Sequence, residues 1–181
     1  MRKDLGKNII FLPQPVLIIT SYDEAGIPNA MNAAWGGQTD FDLISIALSS
    51  HKTTDNILKN KAFCVSFATK STVNISDYFG IVSGNKEDKI KNAKVTVSHS
   101  AYVNAPIIEE YPLTLECEFV SYENEVLVGR VLNVSVDNEY IKDGKVDVDK
   151  LEIISYDPIN HTYRLLGSEI AKAFSCGKEI K

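Results

Sequence analysis

Two long runs late in the chain set the strongest limit on its fold. Leu113 to Glu123 (LTLECEFVSYE) and Val126 to Asp137 (VLVGRVLNVSVD) alternate apolar and polar residues around a tight turn at Asn124. Alternation with a period of two marks strands with one face buried and one face wet. The pair is expected as a long antiparallel hairpin. Shorter strands are expected around it. Val16–Thr20 (VLIIT) is an apolar, β-branched run, and the turn at Asp23-Glu24-Ala25-Gly26 returns it as Asn29–Trp35. Leu43–Leu48 (LISIAL) and Ala62–Ala68 (AFCVSFA) follow, with short strands at Ile153-Ile154 and Tyr163–Leu166. Thr54–Asn60 reads as a short helix capped by Thr53 or Thr54, and Ser71–Phe79 as a second helix stopped by Gly80. Gly84-Asn85 and Asp143-Gly144 mark turns. Many short strands joined by turns, with a few short helices, give a mainly β barrel rather than a parallel α/β sheet.

With 181 residues and no linker or repeat, the chain is expected to form one domain over residues 1–181. A net charge of −5 argues against a nucleic-acid partner, although it leaves room for a local phosphate site. No run reaches the ~18 apolar residues of a membrane span, and the start, MRKDLGKNIIFLPQP, lacks a signal-peptide core. A cytoplasmic protein is the default expectation. Cys64, Cys117 and Cys176 form no CxxC pair and suit a reduced compartment. Several chemistries are excluded. His51, His99 and His161 have no metal-ligand spacing. No GxGxxG follows a strand, and no GxSxG elbow appears. The carboxylate pairs Glu109-Glu110 and Glu116/Glu118 read as solvated charges.

The functional signal lies between Asn29 and Ile57, NAMNAAWGGQTDFDLISIALSSHKTTDNI. Ser49, Ser50, His51, Lys52, Thr53 and Thr54 gather hydroxyls, an imidazole and an ammonium where a strand runs into a helix. A phosphate needs several donors, and a helix start adds free N–H groups and the positive end of its dipole. A threonine cap beside a solvated lysine is the plainer alternative. Just upstream, Ala30, Ala33, Ala34, Gly36 and Gly37 leave room for a flat ring against the main chain, with Trp35 beside it. The alternative there is a tightly packed strand around one core tryptophan. A third piece, Tyr78-Phe79-Gly80-Ile81-Val82-Ser83-Gly84 followed by Asp88-Lys89, is by itself a helix end and a polar loop, and Lys89 a surface lysine.

Taken together, these segments resemble the flavin reductase-like family of FMN-binding split barrels, which includes the flavoredoxins. The resemblance runs from Pro13 to about Lys178. It rests on N-A-x-x-x-x-W at Asn29–Trp35, the strand exit at Lys52-Thr53-Thr54, F-G-x-x-S-G at Phe79–Gly84 with a downstream D-K, and the closing AFSCGK. It implies a split β-barrel with a few short helices, working as a homodimer. Lys52, Thr53 and Thr54, with Ser49, Ser50 and His51, would hold the FMN phosphate. Asn29, Met31, Ala34, Trp35 and Gly36 would meet the flavin. Ser83, Gly84 and Lys89 would approach it, a cation there favouring negative charge at the N1/C2 edge. Phe174 would lie near the ring, across a dimer interface, or act as an apolar anchor. The activity implied is flavin reduction with NAD(P)H as donor. The alternatives are a flavoredoxin-like carrier served by a redox protein partner, and a non-catalytic flavin- or haem-binding protein. A pyridoxamine-phosphate-oxidase-like enzyme would need more arginines than Arg2, Arg130 and Arg164.

Overall fold

The structure, a computed structural model, describes residues 1–178 and Ile180. In chain order its first half comprises β1 (Gln14–Pro15), β2 (Leu17–Tyr22), β3 (Pro28–Ala33), β4 (Gly36–Gln38), β5 (Leu43–Ala47), α1 (Lys52–Asn60), β6 (Ala62–Phe67), α2 (Val73–Ile81) and α3 (Lys89–Ala93). Then come β7 (Val97–His99), β8 (Pro106–Ile108), β9 (Leu113–Glu123), β10 (Val126–Val136), a 3₁₀ turn at Asn138–Tyr140, β11 (Ile141–Lys142), β12 (Lys145–Val146), α4 (Val148–Leu151), β13 (Ile154–Asp157) and β14 (Thr162–Leu165).

The main sheet has seven strands in the order β3-β2-β6-β9-β10-β5-β4, and every neighbouring pair is antiparallel. Its two edge strands, β3 and β4, are consecutive in the chain and separated only by Ala34 and Trp35. The three Cα–Cα steps from Ala33 to Gly36 reach no more than about 11 Å. The edges of a seven-stranded sheet can lie that close only if the sheet curls on itself, so the barrel is split at Ala34–Trp35.

The β9–β10 hairpin forms the spine, as the alternation requires. Asn124 and Glu125 both adopt positive φ, 51° and 62°, which is how a two-residue hairpin turn matches the strand twist. Register shifts at Val128/Gly129 and Val131/Asn133 bend the pair into the barrel wall. Strand β2 is buried on both faces, which is why its run is continuously apolar rather than alternating. Leu17 and Ile19 point inward with Met31, Ile44, Ile46, Phe63, Val65 and Leu127, and Ile57 of α1 joins this core. Val16 and Ile18 point outward, where Ala30, Phe79, Ile108, Tyr111 and Ile154 cover them.

Several local expectations are corrected. Helix α1 begins at Lys52, with His51 as a cap whose side chain bonds Ser49 Oγ rather than the helix N–H groups, so neither Thr53 nor Thr54 is the cap. Gly80 does not stop α2, which continues to Ile81 and is capped at Val82. Glu116 is not a solvated charge. It is buried and accepts from Ser100 Oγ and from Asn133 Nδ2 (2.7 Å), which satisfy a carboxylate that would otherwise be costly to bury. Cys64 and Cys117 are buried core residues, and burial pushes the Cys64 thiol up out of its reactive range and that of Cys117 up to about 12. Among the described residues no helix is long and apolar enough to cross a membrane.

Candidate functional site

A cleft runs along the split, from a polar cup at one end to a broad open pocket at the other. The cup, a cavity of about 330 Å³, is lined by Asn29 and Met31 of β3, by Ser50, His51, Lys52 and Thr53 at the start of α1, and by Phe79–Asn85 with Lys89. Here the β5 exit delivers a helix whose first N–H groups no side chain caps. Thr54 Oγ1 donates back to Ser49 O (2.9 Å) and fixes the turn into the helix. Asn29 Nδ2 donates to Thr53 Oγ1 (2.6 Å) and ties β3 to α1. Gly84 closes the far side so tightly that a Cβ there would lie 2.2 Å from Asn29 Oδ1, closer than such atoms approach. The loop after α2 can cross Asn29 only as glycine.

Two cations meet in this cup. Lys89, only 4% exposed, donates to Phe79 O (3.1 Å), one acceptor for an ammonium with three protons. Lys52 stands beside it. Among the described residues neither lysine is paired with a carboxylate. Burial, and then repulsion from Lys52, lower the Lys89 pKa to about 8. Two unneutralised ammonium groups around a helix start make a site for an anion.

The other end is a pocket of about 640 Å³ that shares Met31, Asn32, His51, Gly80 and Ile81 with the cup. Its floor is the small-residue strand Ala33-Ala34, continued by Ala47 and Leu48. Trp35 stands at its edge with 68% of its surface exposed, so it is not a core tryptophan. The opposite wall is the β13–β14 hairpin, which presents Tyr156, His161 and Tyr163, together with Asp77 from α2. Asp157 holds that hairpin in shape: its carboxylate accepts from the backbone N–H of Ile159 and Asn160, from Asn160 Nδ2, and from Arg164 Nε at 2.7 Å. Hydrogen bonds from Asn160 and Arg164 keep this carboxyl well below the usual carboxylate range.

The structure brings most of the sequence-derived candidates together. Asn29, Met31, Ser50, His51, Lys52, Thr53, Ser83, Gly84 and Lys89 line the cup, and Ala34, Trp35 and Ser49 line the pocket. Three candidates fall elsewhere. Thr54 is buried outside both cavities and acts through its bond to Ser49. Gly36 pairs with Ile46, and its missing Cβ leaves space for Ile46 and Leu17 at 3.0 Å; it lines the hollow beside Trp35 rather than the cup or the pocket. Phe174 is 98% exposed in the tail and lines neither the cup nor the pocket of its own chain. Lys89 is buried rather than on the surface, because α3 folds against β3. Sequence reasoning missed Asn32, whose Nδ2 donates to Ser76 O (2.8 Å), and the whole Asp77–Tyr156–His161–Tyr163 wall. An asparagine in an apolar strand was the available signal for Asn32. Two tyrosines flanking the turn in YDPINHTY were the signal for the wall.

Comparison with known proteins agrees with this architecture. The family model described as flavin reductase like domain matches residues 10–149. A protein of Archaeoglobus fulgidus is 30% identical over 157 residues, covering 82% of this chain and 87% of its own. Among solved structures, the flavoredoxin of Desulfovibrio vulgaris (Miyazaki F) superposes with a TM-score of 0.95 at 32% identity, covering 98% of this chain and 100% of that one. A flavoredoxin from Methanosarcina acetivorans gives 0.90 at 26% identity over the full length of both. The chain belongs to the flavin reductase-like family, and its curled seven-stranded barrel is that family's split-barrel fold.

Proposed function

We propose that this protein is an FMN-binding oxidoreductase that takes hydride from NAD(P)H. The observation that carries the proposal is the pairing of buried Lys89 with Lys52 in one cup at the end of a flat, open pocket. A phosphate monoester, with close to two negative charges, relieves the repulsion between the two ammonium groups and meets the N–H groups of α1. Thr53 and Ser50 add hydroxyls. Asn29, fixed by Thr53, would lie where the phosphate end gives way to the ring, Ala33-Ala34 would allow the ring to approach the backbone, and Trp35 would meet its edge. FMN supplies the hydride and electron chemistry, and the chain supplies position and charge. The cup encloses a terminal phosphate, so FAD fits less well than FMN.

The donor side follows from what is missing. Without a dinucleotide fingerprint, a nicotinamide is held mainly against the exposed ring face, which predicts a high KM and little choice between NADH and NADPH. A flavoredoxin-like carrier, which would take electrons from a redox protein partner, is the second reading. The likeness to two flavoredoxins over essentially the whole chain favours it. Two copies are expected to pair: the apolar hollow among Ile9, Phe11 and Trp35 beside β4 is open in a single copy, and a flavin ring would bury best between two.

Titration with FMN, followed by the flavin absorbance bands, tests the cofactor; a protein that ignores FMN overturns the proposal. Anaerobic mixing of the FMN-loaded protein with each nicotinamide then separates the two readings. Fast bleaching supports the reductase. Bleaching by dithionite alone selects the carrier. Sedimentation at several concentrations tests pairing.

A further inference from the structure

The wall of the open pocket carries hydrogen-bonding chemistry that a phosphate does not use. It has two tyrosine-set pairs. Tyr163 donates to Asp77 Oδ1 at 2.7 Å, and Tyr156 OH lies 2.9 Å from His161 Nδ1. Tyr156 and Tyr163 are direct partners across the β13–β14 ladder, with ring centroids 6.1 Å apart, so the pairs stand side by side. All four side chains line the same pocket as Ala34 and Trp35.

Each pair leaves one polar atom uncommitted. Tyr163 takes Asp77 Oδ1, and Oδ2 remains an acceptor without a hydrogen bond among the described residues. Burial and the Asp77 carboxylate together push the Tyr163 phenol up to about 12, which keeps it a donor. A phenol is the better donor and an imidazole nitrogen the better acceptor, so we assign the proton of this contact to Tyr156, which leaves the His161 ring proton on Nε2. The turn cannot easily relax these positions: His161 sits at φ 52°, and the hydrogen-bonded Asp157 carboxylate braces the residues before it. The wall thus offers one donor and one anionic acceptor next to a surface suited to flat rings. A primary carboxamide carries the complementary chemistry, a C=O that accepts from a donor such as His161 Nε2–H and an NH₂ that donates to an acceptor such as Asp77 Oδ2. A carboxylate in its place would meet Asp77 charge against charge.

We propose that Asp77 and His161, each set by its tyrosine, form a subsite that selects a planar ring bearing a primary carboxamide, the nicotinamide head of a dinucleotide, over the same ring bearing a carboxylate. The proposal rests on the FMN reading, because the ring would lie over the bound flavin.

The test compares NAD⁺ with nicotinic acid adenine dinucleotide, which differ only at this group. Both are oxidised, so calorimetric titration into the FMN-loaded protein reads binding without turnover. NAD⁺ should bind at least about tenfold more tightly, the scale of one hydrogen bond to a charged group. Asp77→Asn keeps an acceptor for Tyr163 and removes the charge; it should narrow the preference to within about threefold in protein that still retains FMN. Tyr156→Phe frees the His161 tautomer and should weaken both dinucleotides alike, with the preference retained. FMN retention shows that each variant is folded. Equal affinities in the unaltered protein, no detectable binding of either dinucleotide, or a preference that survives Asp77→Asn would each overturn the subsite and leave the FMN reading standing. Failure to bind FMN at all would overturn that reading, and the subsite with it.

Discussion

The two ends of the cleft are built in opposite ways. The cup is made of buried groups locked to one another: Asn29 to Thr53, Gly84 against Asn29, and Lys89 under the end of α2. The wall is made of more exposed aromatic and polar side chains arranged in two pairs on a hairpin. On the proposed reading the cup would select by charge, which acts without fine geometry but is costly to bury when unmatched. The wall offers surface and hydrogen-bond pattern, which is suited to a ligand that comes and goes. One cleft can therefore hold one group firmly and exchange another.

Removing both cations should produce the largest effect and isolate the cup. Charge-assisted hydrogen bonds are worth ~1.5–3 kcal/mol each, so Lys52→Ala with Lys89→Met should weaken FMN by about a hundredfold to ten-thousandfold. Riboflavin, which has no phosphate, should change by less than about threefold under the same comparison. Equal losses for the two ligands, measured by flavin fluorescence titration, would show that the lysines do not read phosphate.

Gly84→Ala tests the locking. The new Cβ must displace Asn29 and with it the bond to Thr53, and overpacking of this kind costs about 1–3 kcal/mol. FMN affinity should fall by roughly fivefold to a hundredfold, and riboflavin should fall too, because Asn29 serves the ring side as well.

A pH series reaches the same cup without mutation. The Lys89 pKa lies near 8 in the free protein, below its ordinary value of 10.5, and an anion beside it raises the pKa again. Binding then takes up a proton above pH 8, so FMN affinity should fall by up to about tenfold per pH unit as pH rises past that point. The same shift makes the free protein gain stability as pH rises from about 8 toward 10.5, because over that window the unfolded chain holds the extra proton. Lys52 faces Lys89, and Lys86, Glu87 and Asp88 share the adjoining loop surface. Lys89→Met should remove the slope that begins at 8. A slope unchanged in that variant would assign it to one of these neighbours.

The smallest effect belongs to the edge of the wall. Trp35→Ala should weaken FMN and riboflavin equally, by about twofold to tenfold, the scale of one aromatic contact. Emission from the lone tryptophan should be quenched as FMN binds, and unchanged emission at saturation would move Trp35 out of the site.

Much of the cup could be read from the chain because it is local. Asn29 to Trp35 and Ser49 to Thr54 are short segments whose composition already fits the task. The long hairpin and its Asn124 turn were legible for the same reason. Lys89 shows where locality fails: its neighbours are charged and wet, and only the docking of α3 against β3 buries it. Glu116 looked solvated in an alternating strand, but Asn133, its partner across the hairpin, and Ser100 from the loop after β7 bind its carboxylate and cover it. The wall was illegible as a unit because Asp77 and the β13–β14 hairpin lie about eighty residues apart and meet only through tertiary packing. Thr53 and Thr54 had the chemistry of a cap, yet the helix starts earlier, at Lys52 with His51 as its cap, and turns one threonine toward Asn29 and the other toward Ser49.

The two-residue join between β3 and β4 limits how such a protein can change over time. Pairing with β5 fixes Gly36, Gly37 and Gln38, so one added residue at Ala34–Trp35 would have to bulge out of the join and displace Ala34 or Trp35 from the pocket they line. Exchange of one residue for another disturbs this stretch less than lengthening it. Variation in size is left to the loops around the cleft, above all the turn that carries His161 and the segment between α2 and α3. Those two loops are where relatives with different partners for the same ring should differ most in length.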